Sequence, residues 1–456
     1  MKTCSCFDLV PLSSDDDLSV EHQNHLANLS HRTLALGTGR GILSFGTCKP
    51  DPTKAFPIPD LVLSAKVLPM RTVVQFDTST LPKDYLDWPA FHNGVAAGMR
   101  VSPDIPVNGS WILYNKPEEL NPQHGGFLLA LGLTGHLRRL PLVDWYRYLT
   151  ENCDLASAGF ILGVAAAYCG SRDGKVTKLL SMHLPSLLPL DSTDLGHSHL
   201  TQTTCILGIG LVYIGSCDRR MAAVMADEID RSNDILPEDA AKYHPESRAL
   251  TAGFALGFIT LGQGDNAIGL ADLGIKERLF GFMDEKLALP NVSGYNIFKT
   301  NGRSARRINL DVTAPGAMIA IGLMYLKTED VRVAEKIGLP DTLPMLDYIR
   351  ADFLLLRVLS KNLIMWSHIK PTEHWIDAQL PDFIKTALSD TTSYPHEYWT
   401  SHCDLEILQQ AASNIIAGCC LSIGLRYAGS RNEEAFQCLL RKFDFFAKRS
   451  QSTGKS

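Results

Sequence analysis

Residues able to do chemistry occur in several short constellations, and each has a requirement the surrounding sequence must meet. Gly262-x-Gly264-x-x-Ala267 has the spacing of a dinucleotide fingerprint, with Glu285 18 residues beyond it. That fingerprint needs a strand in front and a helix opening at the glycines, so that a helix N-terminus meets the pyrophosphate. Here the preceding Phe254–Leu261 is an apolar helical run, so the glycines read as a helix end. Gly37-Thr38-Gly39-Arg40-Gly41 lacks the Lys-Ser/Thr pair of a phosphate loop. His22/His25 and His197/His199 each supply half of a metal site, without a third ligand at helical or loop spacing. His402-Cys403 sets a base beside a thiol, but adjacent side chains point apart and no orienting carboxylate lies in a recognisable pattern. Cys419-Cys420 sits in an apolar run and reads as core. Arg303, Arg306 and Arg307 read as a solvated loop before they read as a dock for an acidic partner. The expectation is therefore no catalytic residue, no cofactor and no metal.

The elements that carry these residues come from a chain of 456 residues, 45% of them hydrophobic and 20% charged. That composition is ample for a large core and excludes wholesale disorder. A net charge of −6, from 43 basic and 49 acidic residues, does not suit a nucleic-acid binder, so no nucleic-acid partner is expected. The 11 cysteines are odd in number and scattered, which implies a reducing compartment rather than a disulfide framework. The first 17 residues have one lysine, no apolar segment and an acidic run at Asp15–Asp17, which is not the pattern of a signal peptide.

The 35 glycines are partly periodic. A small residue, three mostly apolar ones and a second small residue recur from Thr33, Gly94, Gly126, Gly159, Thr204, Gly253, Gly316 and Gly418. The second small residues are Gly37, Gly98, Ala130, Gly163, Gly208, Gly257, Ala320 and Ser422. Starts 32 and 33 residues apart fit one two-helix unit, and 45 and 49 fit a unit with a longer loop. The gap of 102 residues before Gly418 should hold one or two degenerate copies, with Phe353–Trp366 the best place for one. At about 100° per residue, positions four apart lie about 40° apart, so the small residues line one groove where helix backbones approach closely.

Three copies end alike, in Tyr168-Cys-Gly170-Ser171-Arg-Asp173, Tyr213-Ile-Gly215-Ser216-Cys-Asp218 and Tyr427-Ala-Gly429-Ser430-Arg-Asn432. Glycine suits the left-handed residue that closes a helix, and Ser, Asp or Asn suits the cap of the next. The helices that follow carry apolar stripes: Val176/Leu179/Leu180/Leu184, Met221/Val224/Met225/Ile229 and Phe436/Leu439/Leu440/Phe443. Inner helices that are apolar all round, with amphipathic helices outside them, predict an all-α helix-turn-helix repeat solenoid. Short strands are expected in the inter-repeat insertions, at Val67–Phe76 and Trp111–Tyr114. The expected layout is an N-terminal tail and lead-in over 1–30, the solenoid over 31–446 and a disordered tail over 447–456. Insertions lie near 50–90, 284–309 and 370–404.

Small-xxx-small spacing, as at Gly94, Gly159 and Gly253, also packs membrane helices. The uncharged run 155–171 is short for a span of about 20 residues, and 195–217 contains His197, His199, Gln202, Thr201, Thr203 and Thr204. No membrane association is expected.

The repeat unit resembles the proteasome/cyclosome repeat family, which occurs in the two largest non-ATPase subunits of the proteasome regulatory particle and in the largest subunit of the anaphase-promoting complex, or cyclosome. Residues 91–98 (FHNGVAAG), 111–117 (WILYNKP), 126–137 (GFLLALGLTGHL), 207–213 (LGIGLVY), 311–316 (DVTAPG), 325–328 (YLKT) and 353–357 (FLLLR) are similar to the cyclosome branch. The resemblance runs from about residue 31 to 443. It implies a solenoid curled towards a closed toroid, acting as a non-catalytic scaffold of a cullin-RING-type ubiquitin ligase that drives mitotic cyclin and securin degradation. Implied partners are the cullin-RING catalytic module, the tetratricopeptide subunits, the Doc-domain subunit and the coactivator, in nucleus and cytoplasm. The alternative is a proteasome regulatory-particle scaffold of the same fold. Members of the family are several times longer, so the chain corresponds to a fragment, a truncated gene model or a reduced paralogue. The structural repeat positions expected to matter are Gly94, Gly98, Gly126, Gly159, Gly163, Gly208, Gly253, Gly257, Gly316 and Gly418.

Overall fold

The structure, a computed structural model, describes residues 3–5, 47–61, 63–67, 70, 72–75, 83–105, 107–149, 153–189, 198–232, 244–283, 308–346, 349–389 and 405–453. The copy beginning at Thr33, the Gly37–Gly41 run, His22/His25, His197, Arg303/Arg306/Arg307 and His402-Cys403 lie outside the described residues. The chain forms two compact units, Met1–Val212 and Tyr213–Ser456.

In the first unit, strands β1 (Thr3–Ser5), β2 (Leu63–Val67) and β3 (Thr72–Gln75) form a small sheet in that order. β1 runs parallel to β2, and β2 antiparallel to β3 with Val67 opposite Thr72. Its longer α-helices, among the described residues, are α1 (Lys83–Gly98), α2 (Gly109–Tyr114), α3 (Pro122–Leu133), α4 (Asp154–Ala167), α5 (Gly174–Ser181) and α6 (His199–Val212). Helices α1, α3, α4 and α6 stack in succession, and α5 packs outside α6. α4 buries eleven of its residues, as expected of a helix without a polar face.

The strand expected at Trp111–Tyr114 is instead the body of α2. Aromatic and β-branched residues favour a sheet only where a partner strand and a packing surface exist. Here one turn of helix buries Trp111 and Ile112 together, with the Trp111 ring against Phe56 and Phe127. The Trp111 Nε1–H donates to the Asp51 carbonyl at 3.1 Å, which holds the segment before β2 across α2 and α3.

The second unit holds α7 (Arg219–Ser232), α8 (Pro245–Ile259), α9 (Ile275–Met283), α10 (Leu310–Met324), α11 (Val331–Lys336), α12 (Ala351–Ile364), α13 (Glu373–Gln379), α14 (Asp382–Ser389), α15 (Leu405–Tyr427) and α16 (Glu433–Thr453). Here α8, α10, α12 and α15 stack in succession, with α7, α9, α11 and α16 against them. α12 occupies the place where a degenerate copy was expected, between α10 and α15. Residues 373–389, within the insertion expected near 370–404, form α13 and α14 against α15.

Side chains ahead of the helices cap them. Asn121 accepts from the His124 amide at 2.8 Å, Asp173 from Lys175 and Val176, Asp218 from Met221, Asp330 from Val333 and Asn432 from Ala435. Each satisfies at least one of the orphan donors of a first helical turn, and Asp173 two.

One charged pair is sealed between α7 and α8. Arg248 Nε donates to Glu228 Oε2 at 2.7 Å, and Glu228 is fully buried. Arg248→Met is expected to cost about 3–5 kcal/mol in urea denaturation, because it leaves the buried carboxylate only the half-exposed Arg231, 3.5 Å from its other oxygen. Glu228→Met combined with Arg248→Met should recover most of that loss.

His136 is buried, which favours its neutral form and lowers its pKa; a hydrogen bond with the Ser102 backbone pulls the other way, and the Arg139 charge lowers it further. The unfolded imidazole takes a proton near pH about 6.5 while the folded one resists it, so stability is full above that pH and falls below it. The melting temperature should drop between pH about 7.5 and about 5.5, with a shallower slope in His136→Gln.

Candidate scaffold surface

Glycine sets how closely the inner helices approach. A Cβ on Gly94 would collide with the Gln123 carbonyl of α3, and one on Gly126 with the Phe91 carbonyl of α1. Gly159 meets the Gly125 carbonyl, and Gly163 sits where a Cβ would stand 2.8 Å from the Leu128 carbonyl. In the second unit Gly253 abuts Gly316, and Gly316 abuts the Ala249 carbonyl. A Cβ on Gly98 would stand 2.6 Å from Ala130 Cβ, on Gly257 2.7 Å from Leu323 Cβ and on Gly418 2.8 Å from the Leu355 carbonyl. Gly208 differs in meeting side chains alone, Leu180 Cδ2 at 2.9 Å and Ala165 Cβ at 3.2 Å, with no backbone atom among its nearest three.

The four-residue rule missed Gly125, Gly132 and Gly322. A Cβ on Gly125 would lie 2.5 Å from the Leu155 carbonyl, Gly132 abuts Gly163, and Gly322 faces Ser360 Cα at 2.9 Å. Gly132 and Gly322 come six residues after Gly126 and Gly316, a turn of about 240° that carries them about 120° round the helix to a second face. That second spacing is the signal that would have found them.

The turns on one edge of each stack are built as the aromatic-x-Gly-Ser-x-Asp/Asn motif requires. Gly170, Gly215 and Gly429 have positive φ, and so do Arg172, Cys217 and Arg431 two residues on. Ser171 Oγ donates to the Tyr168 carbonyl at 2.7 Å and accepts from the Asp173 amide at 3.2 Å; Ser430 makes the same pair of bonds with Tyr427 and Asn432. The two left-handed residues then reach into the next repeat. Gly170 and Arg172 donate their amides to the Leu211 and Val212 carbonyls, at 3.0 and 3.2 Å. Gly215 and Cys217 reach Phe258 and Ile259, and Lys327 and Glu329 reach Leu363 and Ile364. The last carbonyls of an inner helix, which have no acceptor role within it, are thereby satisfied by the preceding turn.

The dinucleotide-like run is one of these turns. It follows a helix, α8, not a strand; the Gly262 amide donates to the Leu323 carbonyl at 3.0 Å. Asp265 in the same turn accepts from Tyr325 Oη at 2.5 Å and pairs with Lys276 Nζ at 3.0 Å, which lowers its pKa and ties the loop to α10 and α9. These bonds fasten a turn and leave no cradle for a pyrophosphate.

Nothing described gathers reactive groups. Among the described residues no three His, Cys, Asp or Glu side chains stand together as metal ligands. His199 opens α6, where Thr203 lies 3.2 Å from its ring nitrogen. Burial pushes the Cys419 thiol up to about 12 and Cys420 to about 11, so neither is a ready thiolate. The helices around 155–171 and 195–217, α4 and α6, have 14 residues each, short of a span. Among the described residues one helical stretch, Ile407–Tyr427, is long and apolar enough for one, and half of it is buried in the fold.

The stripe expected to bury α16 departs from the pattern. In α5 and α7 the stripes are inside, with Val176, Leu180, Met225 and Ile229 buried. In α16 the buried residues are Ala435 and Cys438, while Phe436 is 58% exposed, Leu440 41% and Phe443 64%. Among the described residues each unit thus presents surface: turns and outer helices in both, and in the second an exposed apolar stripe on α16.

Two family models match the chain, described as the APC1 fourth domain over residues 4–169 and the APC1 fifth domain over residues 174–456. The human protein named anaphase-promoting complex subunit 1 is 40% identical over 445 residues, 94% of this chain and 22% of that protein. The Schizosaccharomyces pombe protein of the same name is 38% identical over 435 residues, 95% of this chain and 28% of its own length. A protein of Emericella nidulans named negative regulator of mitosis is 36% identical over 444 residues, 97% of this chain and 20% of its own. The chain spans under a third of the length of each of these three relatives.

Replacing Gly126 or Gly316 by Ala puts a methyl group into a neighbouring backbone carbonyl and should destabilise by at least about 1–3 kcal/mol. Gly163→Leu and Gly257→Leu should do at least as much. Gly174→Ala, which meets nothing, is the control and should leave urea denaturation unchanged.

Proposed function

Because the chain belongs to the anaphase-promoting complex subunit 1 family, we propose that it is a non-catalytic scaffold within that complex, a cullin-RING-type ubiquitin ligase that drives mitotic cyclin and securin degradation. The observation that carries this reading is the resemblance over 94% of the chain to a subunit of the complex, in a fold whose polar groups are spent on caps and turns. A stack of helices held by backbone contacts is stiff, and its outer wall and turn edge offer long surfaces to several partners at once. In this reading the repeats ties the cullin-RING module to the tetratricopeptide subunits, near the Doc-domain subunit and the coactivator, in nucleus and cytoplasm. The glycine positions act here indirectly, by fixing the curvature on which those surfaces are displayed.

The test is affinity purification of the tagged chain from mitotic cells, read by quantitative mass spectrometry. Cullin-RING and tetratricopeptide subunits should be recovered with it. Recovery of proteasome regulatory-particle ATPases alone would overturn the proposal in favour of the other branch of the repeat family.

A further inference from the structure

Asn108 stands ahead of a helix and caps nothing. Asn121 and Asn432 accept from amides in the helical turns they precede. Asn108 has the same place before α2, with φ −82° and ψ 151°, yet its side chain makes no capping bond. It lines a groove of about 350 Å³ in the first unit, floored by Pro50, Pro52 and the buried Trp111. Lys49, Ser110 and Tyr114 line the same groove, and all four polar residues are exposed. Among the described residues none of these four side chains has a hydrogen bond or ion pair.

The walls are held in place without a ligand. The Cys48 amide donates to the Arg100 carbonyl at 2.7 Å, Trp111 Nε1 to the Asp51 carbonyl at 3.1 Å and the Phe56 amide to Asn115 Oδ1 at 2.6 Å. The stretch carrying Lys49, Pro50 and Pro52 is thereby tied down on both sides, so that filling the groove costs little ordering. Its charge is one-sided, because Lys49 is the one ionisable cation in the lining and no carboxylate faces it there. The neighbouring Asp51 carboxylate is taken, accepting from Thr53 and pairing with Lys54 at 3.5 Å. The volume lies at the small end of ligand pockets, about 300–1,000 Å³, which suits a short stretch of chain and not a helix.

We propose that this groove binds an extended segment of a partner protein in which an Asp or Glu stands beside an apolar residue. The carboxylate pairs with Lys49, and the apolar side chain lies on Trp111 and the two prolines. The Asn108 amide, donor and acceptor at once, exchanges two hydrogen bonds with a peptide group of the segment. That reciprocity selects a peptide. A proline-rich strand would lack N–H groups for the Asn108 oxygen to accept and would leave Lys49 without a counter-charge. The inference rests on the groove alone and does not depend on the ubiquitin-ligase reading.

The test is selection from a display library of random linear peptides by the full chain. The enriched sequences are then synthesised with both ends blocked, and their binding is followed by fluorescence anisotropy. They should place Asp or Glu next to an apolar residue. Lys49→Ala should weaken their binding at least about tenfold, through loss of a charge-assisted pair, and Asn108→Ala about threefold. Repeating the selection with Lys49→Glu should turn the preferred charge from acidic to basic. Both positions are exposed, so all three variants should keep the melting temperature of the parent chain. The proposal is overturned if no sequence is enriched, if the enriched sequences lack an acidic residue or are proline-rich, or if the Lys49 variants bind and select as the parent does.

Discussion

Everything else in the two stacks depends on helix backbones meeting without side chains between them. At Gly94, Gly126, Gly159, Gly253 and Gly316 a neighbouring helix lies where a Cβ would stand, most often with a carbonyl oxygen. Where neighbours pack closely on both sides, as for α4 and α10, little room is left for a polar face. That is why α4 and α10 are apolar all round, and why amphipathic character is confined to helices such as α5 and α7 that face the inner stack on one side only.

The close approach also brings helix ends together, and the turns use it. An inner helix ends with carbonyls that have no donor of their own, and the preceding turn carries two amides in left-handed conformation that point at them. Glycine takes the first left-handed position in the motif turns, and Ser171 and Ser430 brace the bend by bonding on both sides of it. A repeat is therefore complete only when its neighbour is present. Its backbone hydrogen bonding, like its apolar burial, is shared across the boundary, which couples the stability of adjacent units.

Much of this was legible in residue order. The four-residue spacing of small residues, with apolar residues filling the positions between, located inner helices, since positions four apart share one face of a helix that is apolar all round. The shared Gly-Ser-x-Asp/Asn endings located the turns and caps, because those residue types have specific backbone uses. The absence of a strand before Gly262 set aside the nucleotide reading, and the structure spends Asp265 on Tyr325 and Lys276. Trp111–Tyr114 misled because its strand-forming residues were weighed without knowing that Phe56 and Phe127 wait beside a helical turn. Gly132 and Gly322 went unseen because a single spacing describes one face of a helix, whereas an inner helix has two neighbours.

Local order thus determined most of the inner helices and how the motif turns end, since periodicity, caps and left-handed glycines act over a few residues. Only the tertiary structure decided which glycine faces which helix, where the buried Glu228–Arg248 pair closes, and which apolar stripe remains open. The stripes of α5 and α16 look alike in sequence, yet Leu180 is buried and Phe443 is not. Burial belongs to a pair of surfaces, and a sequence pattern describes only one of them.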